Sequence, residues 1–224
     1  MLVIFAGMFG GGHTVVNGVR VKTSYFYVPA IMTLSIITTC FVALVMAVVS
    51  ERSLGVLKRR RATPVPAWTL VAGRVLSATA MTIGVLVLML VVARVAYGIS
   101  VPSAGIVPLL VGVVAGAAAF SCLGYAIASV VDSIDTAQPM IQIGTLPLYI
   151  ISGIWVPTDS LSSGLRSVAK VFPVEHLSAL LHQAYVPGTT GGHIAGGDLL
   201  VLAAWAGAAV LFAARRFSWL PAPA

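Results

Sequence analysis

The chain has 224 residues, of which 59% are hydrophobic and 8% charged, and its formal net charge is +7. Soluble domains carry roughly 25% charged residues, so this composition excludes a water-soluble fold. The basic residues flank apolar runs, which points to membrane-surface anchoring and away from nucleic acid.

In chain order, residues 1–12 are apolar but too short to cross a bilayer core, which needs about 20 residues. They read as a partial first span whose beginning is absent. With no basic stretch in front, they do not read as a signal peptide. Complete spans are expected at about 25–49, 73–97, 105–131, 137–157 and 198–214. Gly98, Pro102 and Pro108 mark a turn before the 105–131 span, and the segment around Asp132 and Asp135 reads as a tight turn after it. Cys40 and Cys122 lie deep in apolar runs, which suggests neither a metal site nor a disulfide.

Between the first two complete spans lies ERSLGVLKRRRATPV, with five basic residues: Arg52, Lys58, Arg59, Arg60 and Arg61. Such a cluster on a short loop places that loop on the cytoplasmic side. Glu51 is expected to open a short helix, with Leu54, Val56 and Leu57 as an apolar contact patch. The Thr63-Pro64-Val65-Pro66 run stops that helix and turns the chain towards Trp68. Lys and Arg in the other connections agree with this orientation. Arg74, Arg215 and Arg216 join the cluster on one side, while Arg20, Lys22, Arg94, Arg166 and Lys170 collect on the other.

The segment 157–197 then lies outside. Within it, 159–186 reads as two short amphipathic helices. Asp159 and Ser160 cap the first; Pro173 ends it and starts the second. Two such helices before a final span suggest a re-entrant or interfacial hairpin partly buried in protein.

No catalytic constellation is present: there is no Walker A sequence, HExxH or GxSxG, and no acid–base pair in the spans. An enzyme is therefore not expected, and neither is a cofactor. His13, His176, His182 and His193 all fall on the outer side and read as surface or interfacial residues, with no metal site expected. Arg94 reads as a snorkelling cation near a span end. Gly112 and Gly116 form a GxxxG that permits close helix approach. The small-residue face carrying Gly112, Gly116 and Ser121, with the polar stripe Gln142, Thr145 and Tyr149 on one face of the next span, is the expected lining of a translocation route. Interhelical hydrogen bonding is the competing role for that stripe.

Glu51-Arg52, Gly55, Leu57 and Ala62-Thr63-Pro64-Val65 resemble, in order, spacing and position after a span, the cytoplasmic loop of ABC-2 type transporter permeases. The pattern there is roughly ER-x-x-G-x-L-x-x-L-x-x-T-P, and Arg60 stands where the family usually carries Leu. Phe172-Pro173-Val174-Glu175-His176-Leu177 is similar to the family's proline-containing stretch before the last span. The resemblance implies an all-α polytopic membrane protein. It would be a six-span permease with a truncated first span, a cytoplasmic coupling helix in the 51–66 loop and an external re-entrant hairpin. It also implies a dimer with a second permease subunit, in the bacterial cytoplasmic membrane, served by a separate ABC ATPase subunit. Glu51, Arg52, Gly55, Leu57, Thr63 and Pro64 would form the coupling contact. The cargo would be a drug-like, lipid or other hydrophobic compound moved outward, as in antibiotic efflux. A non-transporting membrane scaffold is the alternative.

Overall fold

A computed structural model describes residues 12–16, 19–55, 67–98, 103–131, 133–152, 154–155, 162–186 and 195–216. Among the described residues the fold is all-α apart from one antiparallel hairpin, β1 (His13–Val16) with β2 (Val19–Lys22), in the register His13↔Lys22 to Val16↔Val19. This hairpin was not expected, although Asn17-Gly18 between two valine-containing runs is a strong sequence signal for one. The partial span at 1–12 lies outside the described residues except for Gly12, whose carbonyl accepts from the Thr23 amide at 3.0 Å.

The first long helix runs without a break through three parts: α1 (Thr23–Ile37), a π-helical segment (Thr38–Val42) and α2 (Ala43–Ser53). Then follow α3 (Ala67–Tyr97), a 3-10 turn (Ser103–Gly105), α4 (Ile106–Ala128), α5 (Ile134–Ile151), α6 (Ser163–Ala169), α7 (Pro173–Tyr185) and α8 (Gly196–Arg216). Among the described residues, four stretches are long and apolar enough to cross a membrane: Tyr25–Ser53, Ala72–Val95, Ser103–Ala128 and Gly196–Arg216. α5 is shorter and more polar, carrying Asp135, Gln138, Gln142, Pro139 and Pro147, and it ends at Ile151, short of the expected 157. Pro108 belongs to the first turn of α4 and not to the turn before it, because a helix's first turn needs no amide from proline. Ser133 caps α5 by accepting from the Thr136 amide at 3.3 Å.

α4 is the central element, packing along α8 and against α7, α2 and α3. One core joins Val28, Met32, Ile36, Phe120, Leu177, Leu181, Tyr185 and Leu202; a second joins Leu44, Val48, Val49, Tyr125, Ala128, Val131 and Ile141.

α7 sits against the bundle because glycine leaves room for it. A Cβ on Gly116 would stand 2.5 Å from Leu177 Cδ1, and one on Gly112 would stand 3.3 Å from Leu181 Cδ2. Gly116 lies ten residues into α4 from Ile106, about 15 Å along its axis, so α7 is inserted well below the rim. The α6–α7 corner is inserted too: Trp205 Nε1 donates to the Val171 carbonyl at 2.9 Å, and its ring stacks on Phe172. Trp205 is about 14 Å along α8 from Gly196. The two expected short helices thus form a hairpin packed into the bundle. The expected caps Asp159 and Ser160 lie outside the described residues, and the described first helix begins at Ser163 after Ser162.

The expectation of surface histidines fails for two of the four. His176 and His182 are both buried, and His193 lies outside the described residues. His182 faces three groups: Nε2 is 3.1 Å from the Phe26 carbonyl, and Nδ1 is 2.8 Å from the Ser178 carbonyl and 3.3 Å from its hydroxyl. Each ring nitrogen has a carbonyl as its nearest partner, so a neutral ring can donate to only one of the two. Burial pushes the His182 pKa below 6.5, against the upward pull of the two carbonyls.

Two outcomes follow. Gly116→Val should lower stability in detergent by about 1–3 kcal/mol through overpacking, and Leu177→Ala in the same chain should recover part of that loss; thermal unfolding of the four chains measures it. The unfolded state takes up a proton at His182 more readily than the folded state, so this residue's contribution is complete above pH 6.5 and is lost as pH falls below it. His182→Gln should therefore flatten the decline in melting temperature between about pH 7 and 5.5 relative to the parent chain.

Candidate functional site

The described residues of the expected coupling contact, Glu51, Arg52 and Gly55, lie at the end of α2. Glu51 and Arg52 do not open a new helix. They form the last turn of α2, which closes when the Leu54 amide bonds the Ser50 carbonyl at 3.0 Å and the Gly55 amide bonds the Arg52 carbonyl at 3.1 Å. Gly55 has φ of 69°, in the left-handed region where a side chain is strained. It is a helix-stopping C-terminal residue, and that is why no helix starts at Glu51; the rest of the expected coupling helix, residues 56–66, lies outside the described residues. Leu54 is largely exposed, at 70% of its full area. Leu57, Thr63 and Pro64, with the basic cluster 58–61, lie outside the described residues.

Glu51 and Arg52 point to different partners. Glu51 forms an ion pair with Arg74 of α3, both side chains half-buried. Arg52 is buried, and its Nη1 donates to the carbonyl of Ala128, the last residue of α4, at 3.1 Å. A cation at a helix C-terminus offsets the partial negative charge of the unpaired carbonyls there. The Nη2 of Arg52 has no hydrogen-bond partner among the described residues. Two adjacent charges thus tie one helix end to two neighbours. Sequence reasoning assigned Arg74 only an orienting role, since nothing local links it to a residue 23 positions earlier.

The expected route residues are not brought together. Gly112 and Gly116 are covered by Leu177, Leu180 and Leu181, and Ser121 is fully buried. At Gly112 and Gly116 that small-residue face is occupied by α7, while Ser121 lies beside Cys40 of the first long helix. The α5 stripe is placed differently. Gln142 is exposed, Thr145 Oγ1 donates to the Ile141 carbonyl at 2.8 Å, and Tyr149 is half-buried within hydrogen-bond reach of Thr145. Arg94 is exposed near the end of α3.

At the opposite end of the bundle, a polar cluster joins α7 to α8. His176 Nδ1 is 2.6 Å from Asp198 Oδ1 and 3.7 Å from Glu175 Oε2, and Nε2 is 2.8 Å from the Lys170 carbonyl. With a carboxylate and a carbonyl as its closest partners, a ring that donates from both nitrogens is an imidazolium. Burial pushes the His176 pKa down, but the hydrogen bonds to Asp198 and Lys170 and the nearby carboxylates outweigh it, so the net direction is up. Burial raises the Glu175 carboxyl above its usual range, and His176 opposes this in part. This cluster was missed because Asp198 is 22 residues from His176.

A family model described as ABC-2 family transporter protein matches residues 13–215. No curated protein matches the chain.

The Glu51–Arg74 pair carries its own test. Glu51→Gln and Arg74→Gln should each lower stability in detergent, and a double-mutant cycle should give a coupling of about 1 kcal/mol. Additive losses in the cycle would mean that the two side chains act independently.

Proposed function

The chain belongs to the ABC-2 family of transporter proteins, and from that premise we propose that it is the transmembrane permease subunit of an ATP-driven exporter. On this reading it sits in a bacterial cytoplasmic membrane, pairs with a second permease subunit, and carries a drug-like, lipid or other hydrophobic compound outward. ATP hydrolysis takes place on a separate ATPase subunit docked at the 51–66 loop.

The observation that carries the coupling part of this reading is the double anchorage at the end of α2. A load applied to the segment after Gly55 reaches Glu51 and Arg52 first. From Glu51 it passes to Arg74 and α3, and from Arg52 to the C-terminus of α4. One docked motor would thereby act on three helices. Two packings of these helices, biased by nucleotide on the partner, are what alternating access needs. Gln142, Thr145 and Tyr149 of α5 are the residues we assign to the route, since a polar stripe on a membrane helix faces protein or a cavity in preference to lipid.

The test uses the permease co-expressed with the ATPase and reconstituted in vesicles. Gly55→Pro cannot reach φ of 69°, because proline is held near −65°. It should cut export per ATP hydrolysed by roughly tenfold or more, the size of effect expected when about 1.4 kcal/mol of coupling is lost. Gly55→Asn, which tolerates the left-handed region, should retain most of it. Equal export by both variants would sink the coupling role of this turn. Failure of any ATPase to co-purify, together with no export, would favour the non-transporting scaffold.

A further inference from the structure

The cluster at the α7–α8 junction has the make-up of a metal centre. Glu175 and His176 lie in the first turn of α7 and Asp198 in the first turn of α8, and their three ligand atoms all fall within 4.8 Å of one another. Their side chains keep 14%, 11% and 24% of their exposure, so the site is sheltered yet reachable. Bonds of about 2.0–2.2 Å to a tetrahedral zinc ion put neighbouring ligand atoms about 3.3 Å apart. The His176 Nδ1–Asp198 contact of 2.6 Å would open by roughly 0.7 Å, and the His176 Nδ1–Glu175 contact of 3.7 Å would close by roughly 0.4 Å, to meet that spacing.

A separate observation concerns the other face of the ring. The Lys170 carbonyl, outside the three ligands, accepts from Nε2 at 2.8 Å. A metal-binding histidine characteristically donates its second N–H to a carbonyl or carboxylate, which sets the tautomer and aims the free nitrogen at the ion. Here that bond keeps hydrogen on Nε2 and turns Nδ1 towards both carboxylates.

We propose that Glu175, His176 and Asp198 bind a divalent transition-metal ion of the zinc class, which pins the hairpin to α8. On binding, the Nδ1 proton leaves to solvent and the nitrogen lone pair goes to the ion; no electron is transferred. One nitrogen with two carboxylate oxygens is a borderline donor set that suits zinc over the hard cations magnesium and calcium. Three protein donors leave the fourth position to water.

The test is calorimetric titration of chelator-stripped full-length protein in detergent with Zn²⁺, with thermal unfolding alongside and Mg²⁺ as the comparison ion. One Zn²⁺ per chain, a raised melting temperature and no response to Mg²⁺ are expected. The near-isosteric Glu175→Gln and Asp198→Asn should each weaken Zn²⁺ binding by about tenfold or more, and His176→Ala should abolish it. Cobalt substitution should give a d–d spectrum without thiolate charge transfer. Absence of Zn²⁺ binding to the parent chain would overturn the proposal. So would binding left unchanged in both carboxylate variants, which would place the ion elsewhere and leave the cluster as a histidine–carboxylate ion pair.

Discussion

A buried backbone carbonyl without a partner costs several kcal/mol, and the α6–α7 corner, packed against α8, is where this chain has to meet that constraint. A helix end exposes its last carbonyls. At the end of α6 those of Lys170 and Val171 are taken by side chains, His176 from α7 and Trp205 from α8. Once the corner is satisfied, α7 can lie against α4, where Gly112 and Gly116 let Leu177 and Leu181 approach. Its far end is held by His182 at the Phe26 carbonyl. The larger core, which includes Leu177, Leu181 and Tyr185, exists only because the hairpin can be there.

The two ends of the bundle are held by different chemistry. At the hairpin end, buried histidines reach backbone carbonyls, and His176 also pairs with Asp198 of α8. At the Glu51 end, charges join helix termini: Glu51 to Arg74, and Arg52 to the last carbonyl of α4. Ion pairs at partly wet helix ends are worth little in isolation and can exchange partners without dismantling a core. Under the proposed coupling role, that suits an end that moves when an ATPase subunit pushes on it, while the packed hairpin end provides something fixed to move against.

The long apolar runs and the basic cluster were legible because bilayer thickness and charge placement act on local composition. The pair of short helices was legible from amphipathic spacing around Pro173. What stayed hidden depends on residues far apart in sequence. His176 and His182 looked like surface residues because their partners, Asp198 and Phe26, are 22 and 156 positions away. Gly112 and Gly116 read correctly as a close-approach surface, but a glycine face does not say whether a helix or a cargo fills it; Leu177 answers that. Glu51 suited a helix start by charge alone, yet Gly55 four residues later forced a stop. The Asn17-Gly18 hairpin signal was local and readable, and was masked by the expectation of a continuous helical membrane protein.

The π-helical segment at Thr38–Val42 has a consequence for direction. Buried positions along the first long helix recur every four residues: Val28, Met32, Ile36, Cys40, Leu44, Val48 and Arg52. At about 100° per residue, each such step leans about 40° past a full turn, so a regular helix would have wound this stripe through roughly 240°. The wider turn absorbs one residue and takes back about 100° of that. The stripe therefore passes from the hairpin-side core to the second core while still delivering Arg52 to Ala128. The angular address of the Glu51–Arg52 pair is thus set some twelve residues upstream, by a count of residues and not by any contact of its own.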